Sequence, residues 1–234
     1  MNKKILISGL MLAMSGQALA QEKDYEASVS LGFVATSGNT DTQTFNTEFL
    51  LTFDTASWTH NMKFQALGSS KDSQTTAERY YLEDKSDYNL DEMQYLYGKA
   101  SYTDDRFSGY DYQASISAGY GRHILNDDVI TLQAYGGLGY RENDIQGVGN
   151  NGEVIVAFGE NLSYQLSETS AITQSFDTEI GDELTVTRFE IGLESVIIDR
   201  IASKISFMVR NISDVPPGVE KTDTQTSISL VYDF

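Results

Sequence analysis

Between Tyr25 and Phe234 one pattern recurs twelve times: apolar and polar residues alternate at every second position, over 25–36, 42–54, 57–69, 76–86, 92–103, 110–123, 129–142, 152–166, 170–181, 184–197, 201–212 and 221–234. A period of two places the two sets on opposite faces of a β-strand, and no ten-residue stretch carries the helical period instead. The connections alternate too. Those after even segments are tight, as at Thr55-Ala56 and Asp199-Arg200, whereas those at 37–41, 70–75, 104–109, 143–151 and 213–220 are longer, with 181–183 a short exception. An even strand count brings both ends to one side, and short turns on that side with longer loops on the other belong to one architecture. The sequence predicts an all-β chain forming a single antiparallel up-and-down β-barrel of about 12 strands that spans a membrane. Greek-key sandwiches do not alternate loop length so regularly.

Alternation alone leaves open which face meets water. Apolar candidates for the outside include Leu31, Phe33, Phe45, Phe49, Ile116, Leu138, Ile191 and Phe207, with the small residues Ala114, Ala118, Ala134 and Gly136 among them. A dry interior would be poorly filled by those small residues. Aromatic side chains fall near strand ends, where Tyr25, Phe53, Trp58, Tyr88, Tyr164, Tyr232 and Phe234 would form one rim and Phe33, Phe45, Tyr102, Tyr110, Tyr112, Tyr140 and Phe158 the other. The last strand is the clearest case. Ile228, Leu230, Tyr232 and Phe234 share a face, Ser227, Ser229 and Asp233 the other, and only Val231 breaks the rule. This ending resembles the carboxy-terminal insertion signal of outer-membrane barrels, which implies outer-membrane lipids, lipopolysaccharide and the barrel-insertion machinery as partners.

Residues 1–20 read as a cleaved secretory leader: Lys3 and Lys4, a short apolar run over 5–14, then Ala18-Leu19-Ala20. That run is far below the ~20 residues a spanning helix needs. The mature domain would occupy 21–234. Lys3 and Lys4 are the leader's only charged residues, so its removal takes the formal charge from −18 to −20. So acidic a chain is not expected to bind nucleic acid, which calls for Lys and Arg against phosphate. With 0 Cys there is neither a disulfide framework nor a thiolate metal site.

The residues offer little catalytic chemistry. His60 and His123 are the 2 histidines, and neither has a serine two residues on, as a His-x-Ser hydrolase strand requires. The Gly-rich stretches at 119–121 and 136–139 precede no helix and so cradle no phosphate. No cofactor, metal site or enzymatic role is expected. Acidic loop residues, among them Asp41, Asp72, Asp104, Asp105, Asp144, Asp182, Glu183 and Asp214, would give the mouth a field that favours cations. Inward positions carry Glu48, Lys63, Arg188, Glu190, Glu194, Lys204 and Arg210, joined by Asp111 and Glu153. Opposite charges on facing strands would narrow the lumen, giving a narrow passage for small solutes or cations. The alternative is a structural or interaction barrel whose acidic loops bind cations or a surface partner without transport. Two segments fit poorly: Glu160 falls on an outward position, a conflict a bulge would relieve, and 76–86 alternates weakly.

Four stretches resemble one family: Thr36-Ser37-Gly38-Asn39-Thr40-Asp41-Thr42, Asp91-Glu92-Met93-Gln94-Tyr95-Leu96-Tyr97-Gly98-Lys99, Gly119-Tyr120-Gly121-Arg122 and Gly136-Gly137-Leu138-Gly139-Tyr140-Arg141. Together they are similar to the YdiY-like salt-induced outer-membrane proteins, catalogued as domain of unknown function 481. The resemblance implies an outer-membrane β-barrel with a link to salt stress, and it carries no substrate or catalytic residue across.

Overall fold

The computed structural model describes residues 25–36, 42–72 and 74–234. The candidate leader, Asp41 and the core of the Ser-Gly-Asn-Thr-Asp motif lie outside them. The described chain is a closed ring of antiparallel strands: β1 Tyr25–Thr36, β2 Thr42–Asp54, β3 Trp58–Lys71, β4 Gln74–Asn89, β5 Gln94–Asp105, β6 Tyr110–Asn126, β7 Ile130–Ile145, β8 Gly149–Ser167, β9 Ser170–Gly181, β10 Thr185–Ile198, β11 Ile201–Ile212 and β12 Thr222–Asp233. Each strand pairs with its chain neighbours, and β12 closes on β1 through Leu31↔Leu230 and its flanking pairs. Among the described strands no sheet edge remains unpaired.

Both described termini lie at one end of the ring, here the turn end, with the other connections at the loop end. The turns form for local reasons. Asp127 Oδ1 accepts from the Val129 and Ile130 amides at 2.9 Å each, and Asp91 Oδ1 from that of Met93 at 2.8 Å. These Asx turns reverse the chain without glycine. At the loop end the connections are shorter than the sequence suggests, because β3 and β4 run to Lys71 and from Gln74, and β7 and β8 to Ile145 and from Gly149. The Gly-Asn-rich stretch near 149–152 keeps pairing, as in Glu142↔Gly152 and Asp144↔Asn150. Of the described connections only 213–221 remains long.

The outer surface is apolar and the interior is not. Ile116, Leu138, Ile228 and Leu230 are 59–66% exposed, whereas Arg141 and Arg210 are 1% and 2% exposed. A water-soluble sandwich has the opposite polarity, so the faces are those of a transmembrane barrel. Aromatic side chains gather at the turn end: Trp58 stacks on His60 at 5.7 Å and packs on Tyr88 at 5.1 Å, and Tyr232 meets Phe234 edge-on at 4.9 Å. Val231, the exception in β12, points inward and is buried beside Ala202.

Three expectations change. The extra residue Asp111 is bulged between the pairs Tyr110↔Ile145 and Tyr112↔Asp144. It is therefore exposed and outside the lumen, and Tyr110 turns inward to 3% exposure instead of joining the outer rim. Strand β4 alternates after all: Tyr81, Glu83, Lys85 and Asp87 face in, Tyr80, Leu82 and Tyr88 out. Glu160 stays outward, since the register of β8 is continuous around it, and its Oε2 accepts from Gln174 Nε2 at 3.0 Å.

Candidate functional site

The lumen is the site. Strand register sets its layers, because inward residues of facing strands meet at one height and long side chains bridge between them. Near mid-height Lys63 Nζ of β3 reaches Glu190 Oε2 of β10 at 3.1 Å, and Lys204 Nζ of β11 reaches Glu48 Oε1 of β2 at 2.9 Å. Lys63 also lies 3.5 Å from Glu48 and Lys204 3.4 Å from Glu190, so the four form a square of alternating charge. Gln65 Nε2 donates to Glu48 at 2.7 Å, fixing its carboxylate.

A second layer crosses elsewhere. Lys99 Nζ of β5 sits 2.6 Å from Asp177 Oδ1 of β9 and 2.9 Å from Glu83 of its neighbour β4. Tyr135 donates to the same Asp177 oxygen, Tyr81 donates to Glu83, and the Arg188 guanidinium lies 5.0 Å above the Tyr81 ring. Toward the loop end Arg210 Nη1 spans from β11 to Asp105 of β5 at 3.0 Å, half a ring away, and Arg79 Nη2 reaches Gln225 Oε1 at 3.0 Å. Arg141 is held by Glu153 at 2.7 Å, by Glu179 at 3.4 Å and by the Leu184 carbonyl at 2.6 Å.

Beyond these charges an apolar plug packs inside the loop end, built from Tyr110, Leu184, Val186 and Ile212 with Ile145 and Val215. Tyr110 Oη donates to the Asp214 carbonyl at 3.0 Å, tying the 213–221 loop inward. That loop rests on Gly109, where φ is +80° and a Cβ would come within 2.8 Å of Pro216 Cγ. Toward the turn end the lumen widens into a chamber of about 660 Å³ lined by Glu26, Lys63, His123, Glu190, Glu194 and Lys204 among others. It adjoins a deeper space of about 290 Å³ ending at Tyr81, Lys85, Tyr135 and Arg188. A separate loop-end space of about 340 Å³ is lined by Arg79, Asp105, Phe107 and Asp223.

The structure thus gathers Glu48, Lys63, Glu190 and Lys204 into one cluster. Arg188 and Arg210 belong to other layers, and Glu194 lines the turn-end chamber without an ion pair among the described residues. The remaining singled-out group, Ile228, Leu230, Tyr232 and Phe234, lies on the outer face of β12 and its end. Sequence reasoning missed Lys99, Asp177, Arg141 and the buried Lys85, whose ammonium lies 2.6 Å from Asp87 and 4.6 Å from the Tyr95 ring centre. For Lys85 the signal was the charge at every second residue of β4, Glu83, Lys85 and Asp87. Gly121 and Gly159 make room for the rings: a Cβ on either would come within 2.2 Å of Tyr95 or Tyr135. Among the described residues no three His, Cys, Asp or Glu converge to hold a metal.

Among solved structures the chain is similar to the NanC porin, at 9% identity and a TM-score of 0.53 over 88% of this chain and 97% of that one. The translocator domain of the autotransporter NalP from Neisseria meningitidis matches at 13% identity and a TM-score of 0.49, over 92% and 90%. The first likeness shows the barrel fold. In sequence the chain is 28% identical to the uncharacterized protein YdiY of Escherichia coli (strain K12) over 214 residues, 90% of this chain and 84% of that protein. The family model for the protein of unknown function DUF481 matches residues 29–234, and the chain belongs to that family.

Proposed function

We propose that the chain is an integral barrel of the bacterial outer membrane serving as a narrow, normally closed passage for small solutes or ions. The turn end would face the periplasm, and the insertion machinery would read the outer face of β12. The observation that carries the proposal is the lumen. Chambers at its two ends are separated by side chains held in ion pairs, with the plug above them, not by a continuous apolar core. Buried ion pairs add little net stability over well-packed apolar residues. Their presence across a lumen is better explained by a need to part. The chain's charge of −18 and its acidic loops favour cations.

The link to salt stress implied by the family resemblance fits the same geometry. Lys63, Glu190 and Lys204 border the turn-end chamber, so ions entering there screen them more than the dry Arg141 or Arg210. In a planar bilayer, salt raised on the turn-end side alone should increase opening, and the same salt on the loop-end side should not. Flat traces at all voltages and salt levels would reject transport. The apolar plug favours a second reading in that event, a structural barrel whose loops engage lipopolysaccharide, divalent cations or a surface partner.

A further inference from the structure

In the deeper space beyond the turn-end chamber, neutral side chains that stand next to one another do not bond. Elsewhere in the lumen they pair: Gln113 donates to Asn143 at 2.9 Å, and the Ser101 and Ser115 hydroxyls meet at 2.9 Å. Here the register sets Gln133, Asn161 and Ser175 side by side on β7, β8 and β9, through Gln133↔Asn161 and Asn161↔Ser175. That row is about 10 Å long at the spacing of neighbouring strands. Asn161 and Ser175 are half-buried, line the space, and among the described residues make no side-chain hydrogen bond, to each other or to anything else. Three further groups bring spare donors to the same space. Gln133 Oε1 accepts from Tyr95 Oη at 3.0 Å and Asn61 Oδ1 from Thr52 Oγ1 at 3.0 Å, so among the described residues each amide keeps its nitrogen unengaged. Arg188, at the deep end, stands opposite Asp177 and Arg210 in register. Asp177 is held by Lys99 at 2.6 Å, and among the described residues Arg188 has no ion pair, only a hydrogen bond to Thr103 Oγ1 at 3.4 Å. Donors left without acceptors are costly when water is squeezed out, so these groups favour a ligand that replaces it.

Charge decides what kind of ligand that is. Lys63, Lys85 and Arg188 line the space together with Glu83, Asp177 and Glu190, three of each sign, so its walls carry no net charge. Glu83 and Asp177 are bound by Lys99, and Glu190 by Lys63 and Lys204. A carboxylate ligand would gain from Arg188 but meet these acceptors as a like charge, and an ammonium would meet the reverse. A hydroxyl both donates and accepts, so one polyol can satisfy amide, guanidinium and carboxylate groups in turn. The volume of about 290 Å³ is roughly that of ten waters, which suits a solute of about a dozen heavy atoms.

We propose that this deeper space is a binding site for a neutral polyhydroxylated solute of monosaccharide size, held by Asn61, Gln133, Asn161, Ser175 and Arg188. The site names a solute for the lumen and rests on the reading of the lumen as a passage for that solute's onward route. The acidic surface neither draws nor repels a neutral molecule, so selection falls to these hydrogen bonds. Equilibrium dialysis of the purified full-length barrel against radiolabelled sorbitol tests the proposal, in lauryldimethylamine oxide, whose headgroup carries no sugar. Sorbitol should bind saturably in the millimolar range. Gluconate and N-methylglucamine keep the six-carbon polyol chain but add a negative or a positive charge, and each should compete at least fivefold less well than unlabelled sorbitol. Asn161→Ala combined with Ser175→Ala should weaken sorbitol binding at least fivefold, whereas Ser227→Ala, buried on β12 outside this space, should leave it unchanged. Heat-modifiable gel mobility reports folding in every sample. Folded barrel that shows no saturable binding, or binds as well in the double variant, overturns the site. A charged analogue that competes as well as sorbitol overturns the neutral class. Saturable binding by a barrel whose bilayer traces stay flat upholds the site and rejects the passage, and conductance without binding rejects the site alone.

Discussion

If the lumen is the closed passage proposed above, Lys204→Gln should open it more often, and the size of the effect follows from its bonds. Lys204 holds Glu48 at 2.9 Å and Glu190 at 3.4 Å, with 14% of its side chain exposed. Two unit charges about 3 Å apart attract by roughly 5 kcal/mol at an effective dielectric of about 20. Opening returns most of that as hydration, so a charge-assisted bond leaves about 1.5–3 kcal/mol in favour of the closed form. In that proposal the square, the Lys99 layer and the loop-end plug must all part, so weakening one layer multiplies the open fraction. At 1.4 kcal/mol per decade the gain in open probability is about ten- to a hundredfold. Single-channel recording of Lys204→Gln, Glu48→Gln and the double variant forms a cycle, with the exposed loop residue Lys221→Gln as control. The double variant should exceed either single by much less than the product of their effects. Unchanged opening in Lys204→Gln, or multiplicative effects in the double, would refute the ionic latch.

Arg141→Met strands the carboxylates of Glu153 and Glu179, which lie 2.7 Å and 3.4 Å from its guanidinium, and should cost about 3–5 kcal/mol. Urea unfolding followed by fluorescence of Trp58, the 1 tryptophan, measures this, and adding Glu153→Gln with Glu179→Gln should recover most of the loss. Gly159→Val drives a side chain into the Tyr135 ring and should destabilise by about 1–3 kcal/mol in the same assay; an unchanged midpoint would mean that the ring is free to move. Ile228→Lys puts a cation on the lipid face of β12, where it should cost about 2–4 kcal/mol, read as a lower urea midpoint and a smaller heat-modifiable fraction in vesicles.

The strands were legible because period two is a local property. In β12 it survives even the apolar Val231, which fits inside because its partner there is Ala202. Strand β4 was obscured because both its faces carry charge: Glu78 and Asp84 lie on one, Arg79, Glu83, Lys85 and Asp87 on the other, so hydropathy hardly oscillates. The Asp111 bulge was invisible because one surplus residue alters no composition, only the face of everything before it. Which charges point inward could be read, but not which ones meet. Lys63 and Glu190 are 127 residues apart, and their contact depends on the curvature and register of the whole ring.

The two surfaces of this barrel follow from one solvent argument applied twice. Outside, hydrocarbon satisfies no polar group, so backbone pairing must close completely and side chains must be apolar; the closure of β12 on β1 and the exposed Leu230, Ile228 and Ile205 answer that demand. Inside, the turn-end chamber has room for water whereas Arg141 is fully buried, and the side chains grade accordingly. Among the described residues Glu194 is left without an ion partner in the wide chamber, Lys63 and Lys204 share carboxylates where it narrows, and Arg141 makes hydrogen bonds to two carboxylates and two carbonyls where it is buried. The cost of separating charge rises in that order, because fewer waters stand ready to replace each partner. In the proposed passage, opening should therefore begin at the square and stop at Arg141, so that the path would lie on the Lys63–Lys204 side of the ring with Arg141 as part of the wall.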